Sequence, residues 1–266
     1  MKKAVELDSS PAMLNDAAYS AADAGILPDL SKQWAEKSVS QLEDQTAKIT
    51  LSNLQAEDLR RMALLAAYWD TLGWAYFRSG ELTVAEKYLH SAWVLDQAAV
   101  TGDHLGQLYE REGKKKEAAH MYELAYAVDN TLSGLSERYL NLTGNDISDS
   151  AAPRLIRRGA KITSETVWAG EELSHVRTLK VERITTKTVS AEFFVLLSPG
   201  PKVDGVKFIR GAEELKNAGQ RLSSLKFPVE FPDAHPARIV RRGILMCGVA
   251  GCDFTLLLPN TVQSVN

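Results

Sequence analysis

The chain has 266 residues, 45% hydrophobic and 24% charged, with a formal net charge of -3. That balance excludes wholesale disorder, collagen-like repetition and a disulfide-dense mini-protein, and it argues against a strongly basic nucleic-acid binder. The length predicts one or two domains. The apolar stretch nearest to spanning length, Leu245–Leu258, is broken by Asp253 and several glycines, so no membrane-spanning helix of roughly 20 apolar residues is expected. Charge and proline divide the chain: residues 1–146 carry a net -8 and residues 147–266 a net +5, and seven of the nine prolines lie from Pro153 onward. The polar run Gly144–Ser150 marks the expected boundary. The opposite charges admit docking of the halves or two independently solvated surfaces.

In chain order, Lys2–Asp8 reads as the end of a helix with nothing before it, so the chain is expected to start in mid-repeat, as a piece of a longer protein. Leu14, Ala18, Ala21 and Gly25 then space out a helix. A second helix follows the extra segment Ile26–Leu30 and carries Ala35, Val39 and Leu42. Ser52-x-x-Gln55 reads as a capping box opening an inserted helix over residues 50–65, which runs on into Trp69. Next comes Trp69-x-x-Leu72-Gly73-x-x-Tyr76, with Gly80, Ala85, Leu89, Ala92 and Leu95. Thirty-three residues on stand Leu105-Gly106-x-x-Tyr109, Gly113, Ala118, Tyr122, Ala125 and Val128, with Gly102 in place of the tryptophan.

This spacing resembles the tetratricopeptide repeat, a helix-turn-helix unit of about 34 residues. The resemblance implies an all-α array over 1–146, with a degenerate repeat at 11–45, the inserted helix, and repeats at 66–98 and 99–131. It further implies a groove lined by the first helix of each repeat that binds extended peptides or partner helices. The residues falling on that groove are Asn15, Tyr19, Asp70, Trp74, Arg78, Asp103, Gln107 and Arg111. Trp74 either stacks on a ligand or packs on the C-terminal domain or the inserted helix. Asp70 and Asp103 disfavour the peptide-carboxylate grip of chaperone-binding members.

Residues 147–175 read as a linker, with Val167-Trp168 as an anchor. From residue 176 the period changes to two. Strands are predicted at Val176–Ile184, Val189–Leu197, Val203–Ile209, Ala237–Met246 and Cys252–Leu258, with a helix over Gly211–Leu225. The fold class is therefore α+β: a helical-hairpin array followed by a small antiparallel sheet with one helix at 176–266. The strand-strand-helix-strand order, with Leu225-Lys226-Phe227-Pro228 and Arg241–Cys247, resembles the C-terminal domain of TonB-like energy transducers, though no proline-rich spacer or anchor accompanies it. The whole order is similar to the tail of large acidobacterial proteins that join a transglutaminase-like region to tetratricopeptide arrays, which implies an envelope or periplasmic setting.

Cys247-x4-Cys252 flanks a hairpin loop and is open to three readings: a cross-hairpin disulfide, two thiols, or metal and redox chemistry. His90, His104, His120, His175 and His235 are scattered and form no metalloprotease motif. Ser223-x-x-Lys226 lacks companion motifs, and phosphate-binding and dinucleotide fingerprints are missing. Lys114-Lys115-Lys116, Arg157-Arg158 and Arg241-Arg242 read as solvated faces. No catalytic residue, metal or cofactor is called for. The expected function is non-enzymatic protein binding or scaffolding, with a peptide, a protein or the rest of the parent chain as partner, and neither nucleic acid nor a membrane span. The alternatives are an accessory region of a larger envelope transglutaminase-like enzyme and a TonB-like transport adaptor.

Overall fold

Helix-period alanines and glycines produce helical hairpins in the first half, and alternating β-branched and aromatic residues produce a sheet in the second. The computed structural model describes residues 1–150, 169–200 and 202–259, and it is α+β, with eleven α-helices and one five-stranded antiparallel sheet among the described residues. The chain divides into two compact units, Met1–Asp96 with Arg177–Asn266, and Gln97–Val176.

The first unit opens with α1 (Lys2–Leu7), α2 (Pro11–Asp23) and α3 (Pro28–Thr46). Ser10 caps α2 by accepting from the Met13 amide, and prolines occupy the first turns of α2 and α3, where no donor is needed. After a 3-10 turn at Leu51–Asn53 comes α4 (Ala56–Ser79), then α5 (Leu82–Asp96). The capping box lies three residues later than the sequence predicts: Gln55 is the cap and Asp58 accepts from its amide at 2.9 Å. The expected insertion and the helix beginning at Trp69 are one 24-residue helix. It stops at Gly80, whose φ of 85° is the left-handed conformation of a helix C-cap. Gly73 lets α4 and α5 meet closely, since a Cβ there would lie 2.9 Å from the Leu89 backbone nitrogen.

The same unit resumes with β1 (Thr178–Val181), β2 (Val189–Ser198) and β3 (Lys202–Gly211). The predicted helix at 211–225 is shorter and tighter, a 3-10 segment Glu213–Ala218 running into α11 (Gly219–Ser223). Strands β4 (Ile239–Gly248) and β5 (Gly251–Leu256) complete the order β1-β5-β4-β2-β3. Leu215, Ala218 and Leu222 are buried, and Phe193 packs edge-on against Phe208 and Phe254. Sheet and helices are joined inside this unit, because β4 packs on α4 and the amide of Val240 points at Met62 Sδ, 3.2 Å away. Arg241, also on β4, is buried and donates to the carbonyls of Leu95 and Leu257, each at 2.9 Å.

The second unit holds α6 (Ala99–Arg111), α7 (Lys115–Val128), α8 (Leu135–Thr143), α9 (Ile147–Ser150) and α10 (Ala169–His175). Ala118, Tyr122, Ala125, Leu135, Tyr139 and Ile147 form its core. Gly106 leaves room for the Tyr122 ring, as Gly73 does for Leu89. Ile147 belongs to this core, so the domain boundary drawn at residue 146 and the linker after it do not match the compact units. Most of that expected linker, including Val167-Trp168 and Arg157-Arg158, lies outside the described residues.

Cys247 and Cys252 are paired across the β4–β5 turn, with Cα atoms 4.1 Å apart, and are bonded as a disulfide. The closed loop is short, so the chain-entropy contribution is about 2 kcal/mol. Cys247→Ser with Cys252→Ser is expected to lower the urea stability of the first unit by that amount. Thiol titration of the denatured, unreduced native chain is expected to find no free thiol.

Candidate functional site

Three aromatic–proline steps, Phe227-Pro228, Phe231-Pro232 and His235-Pro236, recur every four residues between α11 and β4. A proline has no backbone donor, so this stretch cannot extend the sheet ladder and crosses as an irregular strap. Each ring then finds its own seat. Phe227 packs edge-on against Phe254 of β5, and Phe231 against Trp69 of α4 at 6.4 Å between centroids. His235 Nδ1 lies 3.1 Å from Glu43 Oε2 on α3. Val229, Pro232 and Ala237 are buried between these points.

Polar contacts tie the strap to α3 and α5. Tyr88 of α5 donates its hydroxyl to Asp233 Oδ2 at 2.6 Å, and His90 Nδ1 pairs with Glu230 at 2.7 Å. Arg238 donates to the Ile49 carbonyl just beyond α3, at 2.8 Å. Under the strap, Tyr76 stacks on Tyr88 and donates to Glu36 at 2.8 Å, while Lys32 pairs with Glu81 at 2.7 Å. Burial, reinforced by the bond to Asp233, raises the Tyr88 hydroxyl far above the ordinary phenol range, so it stays a donor.

Glu43 is the chemically unusual member of the group. It is 2% exposed, and its Oε1 accepts the Trp69 indole N–H at 2.8 Å. Burial pushes its carboxyl up to about 7. The Trp69 bond opposes that shift, and the negative Asp233 and Asp44 add to it. Asp44 lies 3.9 Å from His235 Nε2.

The residues expected to line a groove are placed otherwise. Trp74 is 3% exposed, stacked on Phe77 at 4.7 Å with the Arg78 guanidinium 5.8 Å from its ring. It is a packing residue and offers no face to a ligand, which corrects the stacking reading. Asp70 is buried as well. Asp103 is buried under a two-pronged contact from Arg138, at 2.9 and 2.6 Å, and Gln107 donates to the same carboxylate. Asn15 and Tyr19 are half-buried, and Arg78 and Arg111 are exposed. Within the first unit, α4 is buried around most of its circumference. Sequence reasoning missed Glu43, Tyr88, Asp233 and the strap. The available signal was the fourfold spacing of aromatic–proline steps.

Chemistry elsewhere is sparse. A hollow beside Arg241, lined by Leu59, Met62, Val240, Arg242, Leu257 and Pro259, has a volume of about 10 Å³, room for a water and nothing larger. Among the described residues no group of three His, Cys, Asp or Glu side chains gathers as a metal site, and no helix is long and apolar enough to cross a membrane. Comparison with family models, with curated proteins and with solved structures gives no match.

Proposed function

We propose that the chain is a non-enzymatic interaction and scaffolding module of tetratricopeptide type, whose helical hairpins hold extended, proline-bearing segments. The observation that carries this reading is the strap itself. Residues 227–238 cross α3, α4 and α5 as an irregular, proline-bearing strap bent at 232–235, seated by one aromatic ring, one tyrosine–carboxylate bond and two imidazole–carboxylate pairs. Helices that hold such a segment within the chain have the chemistry to hold one from a partner, or from the rest of a parent chain. The 33-residue offset of the two hairpin patterns supports the family assignment. The disulfide supports an oxidising compartment such as the periplasm or envelope.

The test frees the face and offers it the strap in trans. Phe231→Ala with His235→Ala removes two seats, and a fluorescein-labelled peptide copying residues 226–238 is titrated against the full chain by anisotropy. The double variant is expected to bind the peptide at least tenfold more tightly than the unaltered chain, whose own strap competes. No binding by either protein would overturn the reading.

A further inference from the structure

The two imidazole–carboxylate pairs are reciprocal. His90 is on α5 and its partner Glu230 on the strap, while Glu43 is on α3 and its partner His235 on the strap. Phe231 sits between them on Trp69. An imidazole beside a carboxylate makes an ion pair only when protonated. The groups facing Glu43 are Asp44 on its own helix, the Trp69 indole on α4, the Tyr88 hydroxyl on α5, and Asp233 and His235 on the strap. His235 is the sole member of that set able to carry positive charge. One proton on either Glu43 or His235 therefore decides whether the buried carboxylate is compensated. Without it, a desolvated anion faces two further carboxylates.

We infer that the strap is an acid-closed latch: a proton on the buried Glu43 carboxyl, beside His235, holds residues 229–238 on α3, α4 and α5, and its loss releases them and uncovers the face. This rests on the reading that the face holds extended segments. The direction follows from linkage. The Glu43 carboxyl sits at about 7 in the closed form and returns to the ordinary carboxylate range once solvated. Between those values the closed form binds more protons, so it loses stability as pH rises through the window and gains none of it back above 7.

Hydrogen exchange of the full chain, read by mass spectrometry on segment 226–238 at pH 5.5 and pH 8.0, tests the latch. After correction for intrinsic exchange, the closed-to-open ratio is expected to fall about thirtyfold between the two. Glu43→Gln imitates the protonated carboxyl, accepting from Trp69 and donating to His235, and is expected to reduce that change to less than threefold. Should Glu43→Gln not fold, Asp233→Asn removes a facing charge that holds the closed-form Glu43 carboxyl up, keeps an acceptor for Tyr88 and is expected to shrink the change between the two pH values. Equal protection of the unaltered chain at both pH values would overturn the latch, as would a Glu43→Gln chain that keeps the full response. A strap that opens at pH 8.0 but leaves a face unable to bind the 226–238 peptide supports the latch and removes the peptide-holding reading. Peptide binding by the Phe231→Ala, His235→Ala variant without any pH response in the unaltered chain does the reverse.

Discussion

Trp69→Ala is expected to lower the stability of the first unit by about 5 kcal/mol, measured by urea unfolding followed by circular dichroism. Two separate losses add. The indole is fully buried on α4, and truncating a buried tryptophan to alanine leaves a cavity costing about 3–5 kcal/mol. Its N–H also satisfies Glu43 Oε1, and a buried carboxylate deprived of a donor costs about 1–3 kcal/mol more. Because the Trp69 bond is what holds the Glu43 carboxyl down against burial, its removal should leave that group neutral to higher pH. Trp69→Phe separates the contributions: it keeps most of the packing against Phe231 and loses only the donor, so about 2 kcal/mol is expected. A domain's whole stability is typically about 5–15 kcal/mol, so the alanine variant is expected to be largely unfolded at 37 °C. A loss below 1 kcal/mol would mean that Trp69 does not hold the α3–α4 contact together.

The difference between what the sequence revealed and what it hid follows from the range of the interactions. Small residues at helical spacing could be read directly: Gly73, Ala85 and Ala92, and then Gly106, Ala118 and Ala125, stand where helices meet most closely. Alternation located β2, β3, β4 and β5 to within a few residues, because a strand with one buried face advertises its period. Trp74 was harder, since periodicity places a residue on a face of α4 without saying what covers that face. The strap was hardest. It has no helical or strand period, and its seats on α5 lie 140 and 145 residues away in sequence. The grouping of residues 177–266 with the first five helices rests on similarly distant contacts, such as Arg238 with Ile49. No local pattern in either segment foretells such pairings. The charge division at residue 146 was an accurate count that did not follow the compact units.

Arg241 carries the second large effect, and its position explains how a helical segment and a distant sheet fold as one unit. The side chain is fully buried, and its guanidinium donates to two backbone carbonyls. One of those carbonyls, that of Leu95, belongs to the last turn of α5, where the helix presents unsatisfied acceptors and the negative end of its dipole. Burial, with the positive Arg177 nearby and Asp96 opposing, brings the guanidinium down to about 10, so the cation persists at neutral pH. Arg241→Met preserves volume and removes a desolvated charge, which by itself favours folding. It also orphans the buried Leu95 carbonyl and the half-buried Leu257 carbonyl, at up to about 1–3 kcal/mol each, and uncaps α5. The second set of terms is the larger, and a net loss of about 3 kcal/mol is expected in urea unfolding of the first unit. Leu257→Ala should reproduce little of this, because the Leu257 contact is made through its backbone carbonyl. An Arg241→Met chain as stable as the original would show that the buried charge costs as much as its two hydrogen bonds contribute. The α5 terminus would then be held to β4 by apolar packing alone.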